Sequence, residues 1–318
     1  MQASRSHALI LGGGTMGADV AVVLARGRCR VTVVEPLADR REALPVAIAA
    51  KLAEMDLGRR AGLVKAVGSL DDVDWPAIDL VIECVPEQLA LKRAVFADLV
   101  QRARPDTILT SNSSSFPISA IGEGLPGRER MLGLHFFMPA HLVPLVEVIL
   151  GEGSDAGLGE SLCGFMRACA SVPVLVRKDL PGFLANRMQH ALAREAFALI
   201  DEGIASPQDV DAAVRFGFGF RFLAAGPVLQ RDHAGLEVHC AAAATMYPGL
   251  AQNKEPARAL RERVARGDLG MKTGRGFFDW TPDRREAERQ RYDRLLRQGL
   301  ALLAAELPPV DRSTEDPV

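Results

Sequence analysis

The sequence contains little that would direct it to nucleic acid, to a metal or into a membrane. The 318 residues carry 38 lysines and arginines against 40 aspartates and glutamates, and this net charge of -2 gives no overall attraction to nucleic acid or to an anionic surface. The five cysteines show no C-x-x-C pair and no zinc-ligand spacing, so we predict no metal site and interpret them as reduced thiols of a cytoplasmic protein. No apolar run reaches the roughly 20 residues that cross a membrane, and the N-terminus lacks the charged-then-apolar pattern of a signal peptide.

Strand-like and helix-like segments alternate over the first half of the chain. Short apolar or β-branched runs at 8–11, 30–34 and 79–85 are separated by segments with helical spacing of apolar residues at 16–26 and 37–57. Parallel strands joined by helices show this alternation. The sequence therefore predicts an α/β fold with a Rossmann-type, doubly wound parallel sheet that helices cover on both faces.

The character of the chain changes near residue 180. Strand signals stop after the segment 172–183, and from Leu184 onward the chain is predicted to be helical, with stretches of Ala, Leu, Arg and Glu broken by Gly and Pro. We therefore expect two domains, a sheet domain over 1–180 and an all-helical domain over 181–318. The end of the chain, 308–318, has the composition of a disordered tail.

A glycine-rich segment, LILGGGTMGADV, follows the first predicted strand and opens the first predicted helix. In the spacing G-x-G-x-x-G, the first glycine permits a tight turn, the second lets the backbone approach a pyrophosphate, and the third lets helix pack on strand. The free N–H groups of the helix start would then face the anion. A glycine turn of another strand–helix unit is the alternative. The predicted cofactor-binding residues of this turn are Gly12, Gly14, Thr15, Met16 and Gly17.

An acidic residue, Glu35, ends the second predicted strand, 18 residues after Gly17. A carboxylate at this point can accept hydrogen bonds from both hydroxyls of the adenosine ribose, and it repels the 2′-phosphate of NADP. The sequence therefore predicts NAD rather than NADP as the cofactor.

A histidine and a glutamate, His135 and Glu147, stand in the apolar segment GLHFFMPAHLVPLVEVILG. Imidazole suits proton transfer near neutral pH, and a carboxylate on its other nitrogen fixes the tautomer and stabilises the imidazolium. The pair is a candidate general base with its orienting group. The alternative is a structural core histidine beside an unrelated glutamate. A second histidine, His141, competes for the role from a position after the strand.

Several segments, read in order over nearly the whole chain, resemble the L-3-hydroxyacyl-CoA dehydrogenase family. The resemblance implies NAD-dependent, reversible oxidation of a secondary alcohol β to a carboxyl or acyl group. It also implies a helical C-terminal domain for substrate binding and dimerisation, a homodimer, and a place in fatty acid metabolism. The segments are GGGTMG, LVIECVPEQLALK, SNSSS, GLHFFMP, LVEVI, KDLPGFLANR and GMKTGRGFFDW.

The resemblance also implies roles for single residues. His135 falls at the catalytic histidine of the family, and Glu147 falls at the carboxylate that orients it. Ser114 and Asn186 match a serine and an asparagine that would hold the reacting oxygen, donating to the carbonyl in the reverse direction. For these two residues the alternative is a helix cap or a pairing within a helix.

Two further matches lie on the cofactor side. Glu87 and Lys92 correspond to a loop of the family that faces NAD. The alternative for both is a solvated helix start. No metal is implied, because the hydride chemistry belongs to the cofactor.

Two departures from CoA-using members bear on the substrate. The family motif H-F-F-N-P is here H-F-F-M-P, which places the apolar Met138 beside the catalytic histidine. CoA-using members carry a long, lysine-bearing helical hairpin that clamps the CoA phosphates, whereas the matching stretch 36–74 is short. Its cations Arg59, Arg60 and Lys65 could meet a phosphate or form a solvated helix end.

A third departure lies in the segment 215–236, where the pattern G-F-R-F-x-x-x-G-P replaces Y-P-M-G-P-F. This is similar to a branch that acts on small free carboxylates or related polar alcohols. The branch includes carnitine dehydrogenase, L-gulonate 3-dehydrogenase and a dehydrogenase of pyridine-carboxylate breakdown. Arg221 is then a candidate bidentate clamp for a carboxylate, or one half of a structural salt bridge. Met138 and His141 are further candidates on the substrate side.

We therefore predict a small free 3-hydroxy acid or related polar alcohol as the substrate, with a 3-hydroxyacyl-CoA such as 3-hydroxybutyryl-CoA as the alternative. One other interpretation is a catalytically idle, crystallin-like structural protein, although such a protein has no need of a buried charged pair. Another is the related β-hydroxyacid or imine-reducing group, which uses a lysine in the long interdomain helix, where this chain has Asn186.

Overall fold

A computed structural model describes residues 1–312 of the chain. It divides into two compact units. The first comprises Met1–Asn186 together with Ala304–Val318, of which residues up to 312 are described, and the second comprises Arg187–Leu303. Within the described residues, no helix combines the length and the apolar character that a bilayer crossing requires.

The first unit is built on an eight-stranded sheet with the strand order β3-β2-β1-β4-β5-β6-β7-β8. The order changes direction between β1 and β4, and ligands of open α/β sheets bind at such a switch point, outside the carboxyl ends of the strands. The strands are β1 (His7–Leu11), β2 (Arg30–Val34), β3 (Val64–Val67), β4 (Leu80–Glu83), β5 (Ile108–Ser111), β6 (Met131–Phe136), β7 (Leu145–Leu150) and β8 (Val172–Val176).

The predicted Rossmann-type sheet is confirmed, with one exception to its parallel arrangement. All neighbouring strands run parallel except β6 and β7, which are antiparallel. The short connection 137–144 explains the exception, because a parallel crossover needs a dozen or more residues. Strand β3 was not predicted.

Helices cover both faces of the sheet, as predicted for a doubly wound domain. In β1, Ala8 and Ile10 belong to a core with α1, α2 and α5, whereas Leu9 and Leu11 belong to a second core with α3 and α4. Successive side chains of a strand point to opposite faces, so one short strand contributes to both cores. The helices are α1 (Thr15–Arg26), α2 (Ala38–Ala53), α3 (Leu89–Arg102), α4 (Ile118–Ile121) and α5 (Ala156–Ala168).

The second unit is helical, which confirms the predicted change of character. A five-residue π-helical segment, Val214–Phe218, interrupts it, with non-helical angles at Gly217. The helices are α6 (Ala185–Asp201), whose first two residues belong to the first unit, α7 (Pro207–Ala213), α8 (Gly219–Arg221), α9 (Pro227–Ala234), α10 (Leu236–Met246), α11 (Arg258–Ala265) and α12 (Pro282–Leu302).

The end of the chain corrects one expectation. The predicted second domain ran to 318, but the described residues 304–312 belong to the first unit. Predicted disorder over 308–318 is not seen at 308–312, since Val310 packs on the core with α1 and α2 and Asp311 pairs with Arg28 at 3.4 Å. The rest of the predicted tail, 313–318, lies outside the described residues.

Candidate active site

The glycine turn between β1 and α1 is shaped for a close ligand. Gly12 has φ +99°, and a Cβ there would lie 2.8 Å from the Cys84 carbonyl oxygen. A Cβ at Gly17 would lie 1.8 Å from the Gly12 oxygen, so only glycine lets α1 approach the turn. A Cβ added at Gly14, by contrast, would meet no heavy atom within 4 Å, and no side chain caps α1. The helix start therefore presents free N–H groups beside open space, which suits a pyrophosphate.

Glu35 lies directly after β2 and is buried. Its Oε2 accepts a hydrogen bond from the Gly13 amide at 3.0 Å, and its Oε1 accepts one from the Leu37 amide at 3.0 Å. Two backbone contacts hold the carboxylate against the glycine turn, and a carboxylate has about four acceptor positions. Capacity remains for ribose hydroxyls, so this end of the sheet fits the adenosine half of NAD.

His135 and Glu147 are direct partners across the antiparallel strands β6 and β7. Side chains opposite each other on adjacent strands lie on the same face of the sheet. His135 Nδ1 is 2.8 Å from Glu147 Oε2, and both side chains are buried. An ionised Glu147 accepts a hydrogen from Nδ1, which leaves Nε2 of a neutral ring with its lone pair.

The second oxygen of Glu147 binds backbone amides. Oε1 accepts hydrogen bonds from Leu184 at 3.0 Å and from Ala185 at 2.8 Å, where α6 begins. Burial alone would raise the pKa of the Glu147 carboxyl, but the hydrogen bonds from His135 and the Ala185 amide outweigh burial and hold that pKa below its ordinary value. The carboxylate is therefore ionised at neutral pH in spite of its burial.

The other ring nitrogen of His135 faces the serine-rich loop after β5. Nε2 lies 3.2 Å from Ser114 Oγ, and Ser114 is exposed. Phe137 packs edge-on against the imidazole with ring centres 4.6 Å apart, and Phe183 lies at 5.6 Å on a tilted plane. The reactive nitrogen thus has apolar rings beside it and one hydroxyl in front of it.

Two asparagines border this arrangement. Asn186 is the second residue of α6 and is half-buried. Within residues 1–312 its side chain forms no hydrogen bond to His135 or Ser114. Asn112, which sequence reasoning missed, accepts a hydrogen bond from the Phe136 amide at 2.9 Å and so joins the loop to β6. Its position inside the motif SNSSS was the available signal.

Glu87 and Lys92 lie behind the serine loop. Glu87 Oε1 accepts hydrogen bonds from Ser113 Oγ at 2.6 Å and from the Ser114 amide at 3.2 Å, while Oε2 lies 3.1 Å from Lys92 Nζ. Burial opposes ionisation of Glu87, but the Ser113 hydroxyl and the Lys92 charge hold its pKa below the ordinary value. Lys92 is 1% exposed, so the alternative of a solvated helix start is wrong for this residue.

His141 and Met138 occupy different environments. The ring of His141 is buried, with Nδ1 3.1 Å from Asp19 Oδ1 on α1 but without an aligned hydrogen bond. Asp19 also pairs with Lys51 and accepts a hydrogen bond from the Ala140 amide. This environment is that of a structural histidine and does not favour the expected substrate contact. Met138, in contrast, is 63% exposed.

Arg221 and Arg60, two cations considered for substrate binding, differ in whether the protein already binds their side chains. Arg221 ends α8 and is exposed, and its guanidinium forms no ion pair within the described part of the chain. The expected alternative of a structural salt bridge is therefore not seen in residues 1–312. Arg60 is buried and donates to the backbone carbonyls of Arg26 and Asp311. Neither of the two alternatives left open for Arg60, a phosphate contact or a solvated helix end, fits this burial.

Two family models cover most of the chain. Residues 7–180 match the NAD-binding domain of 3-hydroxyacyl-CoA dehydrogenase, and residues 182–280 match the C-terminal domain of the same enzyme. The glycine turn, Glu35 and the pair His135–Glu147 all lie in the first match.

Similar proteins include members with and without CoA in their substrates. The 5-formyl-3-hydroxy-2-methylpyridine 4-carboxylate 5-dehydrogenase of Mesorhizobium japonicum is 33% identical over 87% of this chain and 92% of its own length. A crystal structure of the enzyme of that name, described as an NAD+-dependent dismutase, covers 93% of this chain and 98% of its own at 31% identity and a TM-score of 0.87. The (S)-3-hydroxybutyryl-CoA dehydrogenase PaaH1 of Ralstonia eutropha covers 86% and 99% at 29% identity, with a TM-score of 0.71.

Proposed function

The chain belongs to the 3-hydroxyacyl-CoA dehydrogenase family and is an NAD-dependent oxidoreductase of CH–OH donors, and on this premise we propose how its residues work and what it oxidises. The observation that carries the proposal is the line Ser114–His135–Glu147, with distances of 3.2 Å and 2.8 Å. A catalytically idle protein would have no use for such a buried carboxylate–imidazole pair.

In the proposed mechanism, His135 Nε2 takes the proton of the substrate hydroxyl. Glu147 keeps the Nδ1 proton in place and stabilises the imidazolium that forms. Ser114 and Asn186 hold the substrate oxygen and, in the reverse direction, donate to the carbonyl. NAD, when bound, accepts the hydride. Gly12, Gly14, Thr15, Met16 and Gly17 would hold its pyrophosphate side and Glu35 its adenosine ribose, while Glu87 and Lys92 would belong to a loop on the cofactor side.

The substrate we propose is a small secondary alcohol or hydroxy acid with a free carboxylate. The connection between β2 and β3 contains a single long helix, the 16-residue α2. Arg60, which lies between α2 and β3, already donates to backbone carbonyls. The other cations of this connection are poorly suited to clamping the CoA phosphates. The similar pyridine-carboxylate dehydrogenase, whose named substrate is a small carboxylate, supports the same choice.

Arg221 is the proposed carboxylate clamp. An exposed guanidinium without an ion-pair partner in the described chain is available for bidentate binding. Met138 is the further residue of the proposed substrate side, and His141 is the weaker candidate. Met138 is the better supported of the two, since its side chain is open, whereas His141 is turned to Asp19.

A 3-hydroxyacyl-CoA, and with it a place in fatty acid metabolism, is the second candidate. It is supported by 3-hydroxybutyryl-CoA dehydrogenases among the similar structures. We further propose a cytoplasmic location, because the five cysteines are free and none requires an oxidising compartment.

We also propose a homodimer joined through the second unit. That unit exposes many large apolar side chains, a surface that monomeric proteins rarely carry. Light scattering on a gel-filtered sample should give twice the chain mass of 34.2 kDa, and a concentration-independent monomer would contradict the proposal. The exposed residues include Ile204, Phe216, Phe220, Val228, Leu236, Val238 and Tyr247.

The substrate proposal is tested by following NADH fluorescence with a panel of compounds. The panel compares reduction of acetoacetyl-CoA with oxidation of carnitine, L-gulonate and 3-hydroxybutyrate, and includes 5-formyl-3-hydroxy-2-methylpyridine 4-carboxylate. We expect turnover of a free carboxylate, with a KM that rises at least tenfold in Arg221→Lys and stays unchanged in Arg261→Lys, an exposed arginine of α11. Efficient turnover of the CoA compound alone would overturn the choice.

A further inference from the structure

A buried carboxylate that the proposed mechanism does not use stands at the carboxyl end of β4. Glu83 is fully buried in a strand whose other residues are Leu, Val and Ile. In register it pairs with Leu11 on one side and with Ser111 on the other. It therefore lies at the carboxyl ends of the strands, where ligands of such sheets bind, and beside the point where the strand order changes direction.

Glu83 is joined to both ends of the serine-rich loop. Its Oε2 accepts a hydrogen bond from Ser111 Oγ at 2.6 Å, and Ser111 Oγ in turn accepts one from the Ser113 amide at 3.1 Å. On the other side, Lys92 Nζ donates to Glu83 Oε1 at 2.8 Å and to Oε2 at 3.0 Å. Lys92 then contacts Glu87 Oε2 at 3.1 Å.

The contacts that run through Lys92 and Glu87 lead to Ser114, whose hydroxyl faces the proposed base. Glu87 Oε1 accepts hydrogen bonds from the Ser114 amide at 3.2 Å and from the Ser115 amide at 3.0 Å. Ser114 Oγ lies 3.2 Å from His135 Nε2. Two charged contacts and one backbone contact thus connect a residue of β4 with the hydroxyl in front of the histidine.

A buried ion pair such as Glu83–Lys92 costs folding free energy if its role is only structural. Burial of a lysine and a carboxylate together costs desolvation that a well-packed apolar pair would avoid. The other residues of β4 and the register partner Leu11 are apolar, so the fold at this point does not need a charge. Fully satisfied polar networks, however, hold side chains in one geometry.

We propose that Glu83 is a positioning residue for the reaction, acting through Ser111, Lys92 and Glu87 to fix the loop 111–115 and the Ser114 hydroxyl against His135. This inference rests on the proposed function of Ser114 and His135. The Glu83 side chain is fully buried, and its carboxylate is engaged by Ser111 Oγ, Lys92 Nζ and the Val85 amide, so it acts through protein groups alone. Its loss should displace the hydroxyl while leaving the His135–Glu147 contact intact.

The test reads the two ring nitrogens of His135 separately and needs no substrate. In protein labelled with 15N-histidine, long-range proton–nitrogen NMR spectra record Nδ1 and Nε2, and the His135 signals are those lost in His135→Gln. We expect Glu83→Gln to move Nε2 in the same direction as Ser114→Ala, with Nδ1 unchanged. The matched control is Asp79→Asn. Asp79 lies directly before β4, at the end of this strand opposite to Glu83, and its substitution should move neither Nδ1 nor Nε2.

A second variant keeps the test decisive if Glu83→Gln fails to fold. Glu87→Ala cuts the same connection at a partly exposed side chain and should move Nε2 in the same way. An unchanged Nε2 in Glu87→Ala, or in folded Glu83→Gln, would overturn the proposal. Where a substrate is turned over, kcat should fall about ten- to a hundredfold in Glu83→Gln. Absence of turnover in the wild type would count against the proposed function and not against this positioning.

Discussion

Glu147 accepts a hydrogen bond from the Ala185 amide at 2.8 Å while its other oxygen holds His135 at 2.8 Å. One carboxylate therefore orients the proposed base and fixes the start of α6, the helix that carries Asn186. Removal of its charge should affect stability and proton transfer together.

Glu147→Gln should lower the free energy of unfolding at pH 7 by about 1–3 kcal/mol. Because the folded-state pKa of Glu147 is held below its ordinary value, the ionised carboxylate stabilises the fold fully above that ordinary value and loses this effect as the pH falls through the folded-state pKa. Urea unfolding at pH 7, 5 and 3 should give a difference between wild type and variant that narrows only at the lowest pH. A difference that stays constant down to pH 3 would refute the ionised assignment.

His135→Gln should reduce kcat by about 10²- to 10⁴-fold, because general-base assistance is lost. NAD affinity, measured by fluorescence titration, should remain unchanged. The matched control is His7→Gln, since His7 is a buried strand histidine at the start of β1 whose Nε2 contacts Thr32 Oγ1 at 2.8 Å. It should cost stability and leave kcat alone. A His135 variant with near-wild-type kcat would remove the proposed base.

Glu35→Ala should weaken NAD binding about ten- to a hundredfold, since charge-assisted hydrogen bonds to ribose are worth roughly 1.5–3 kcal/mol. It should also relax the rejection of NADP, because the carboxylate no longer repels the 2′-phosphate. Calorimetric titration with both cofactors measures the two effects. Glu42→Ala, on an exposed position of α2, is the control, and equal behaviour of the two variants would contradict the assignment.

Val310→Asp should lower the free energy of unfolding by about 1–3 kcal/mol. The side chain packs on the core of the first unit, so a carboxylate there would be partly desolvated without a partner. Urea unfolding should show a midpoint shift, whereas Ala305→Asp at an exposed position should show almost none. An unshifted Val310 variant would mean that the C-terminal segment adds no stability to this unit.

The sheet could be predicted from sequence because its strands carry a strong local signal. Residues 31–34, for example, are β-branched and buried, and the glycine turn fixes how β1 leads into α1. Strand β3 (Val64–Val67) was not predicted, since it has only four residues, of which three are half-buried and Lys65 is exposed. The destination of the C-terminal segment was also out of reach, because Asp311 pairs with Arg28, which lies 283 positions earlier in the chain.

The site was only partly accessible to the same reasoning. The spacing of His135 and Glu147 suggested a pair, but the contacts of the Glu147 Oε1 atom with Leu184 and Ala185 depend on a helix start 37 residues away. The burial of Lys92 could not be predicted either. Its partner Glu83 lies on a strand, and the sequence of its own helix, α3, is only weakly amphipathic. Contacts between residues far apart in sequence, such as Leu184 with Glu147, carry no local pattern.

The register of β6 and β7 has a consequence for how such a protein can diverge. His135 faces Glu147 by strand pairing, and a slip of one residue would send the two side chains to opposite faces of the sheet. In the connecting segment 137–144, Ala140, His141 and Leu142 are buried, but the exposed Met138 is under no such constraint. Substitutions of Met138 leave the paired strands intact, so the chemistry can be inherited unchanged while substrate preference drifts.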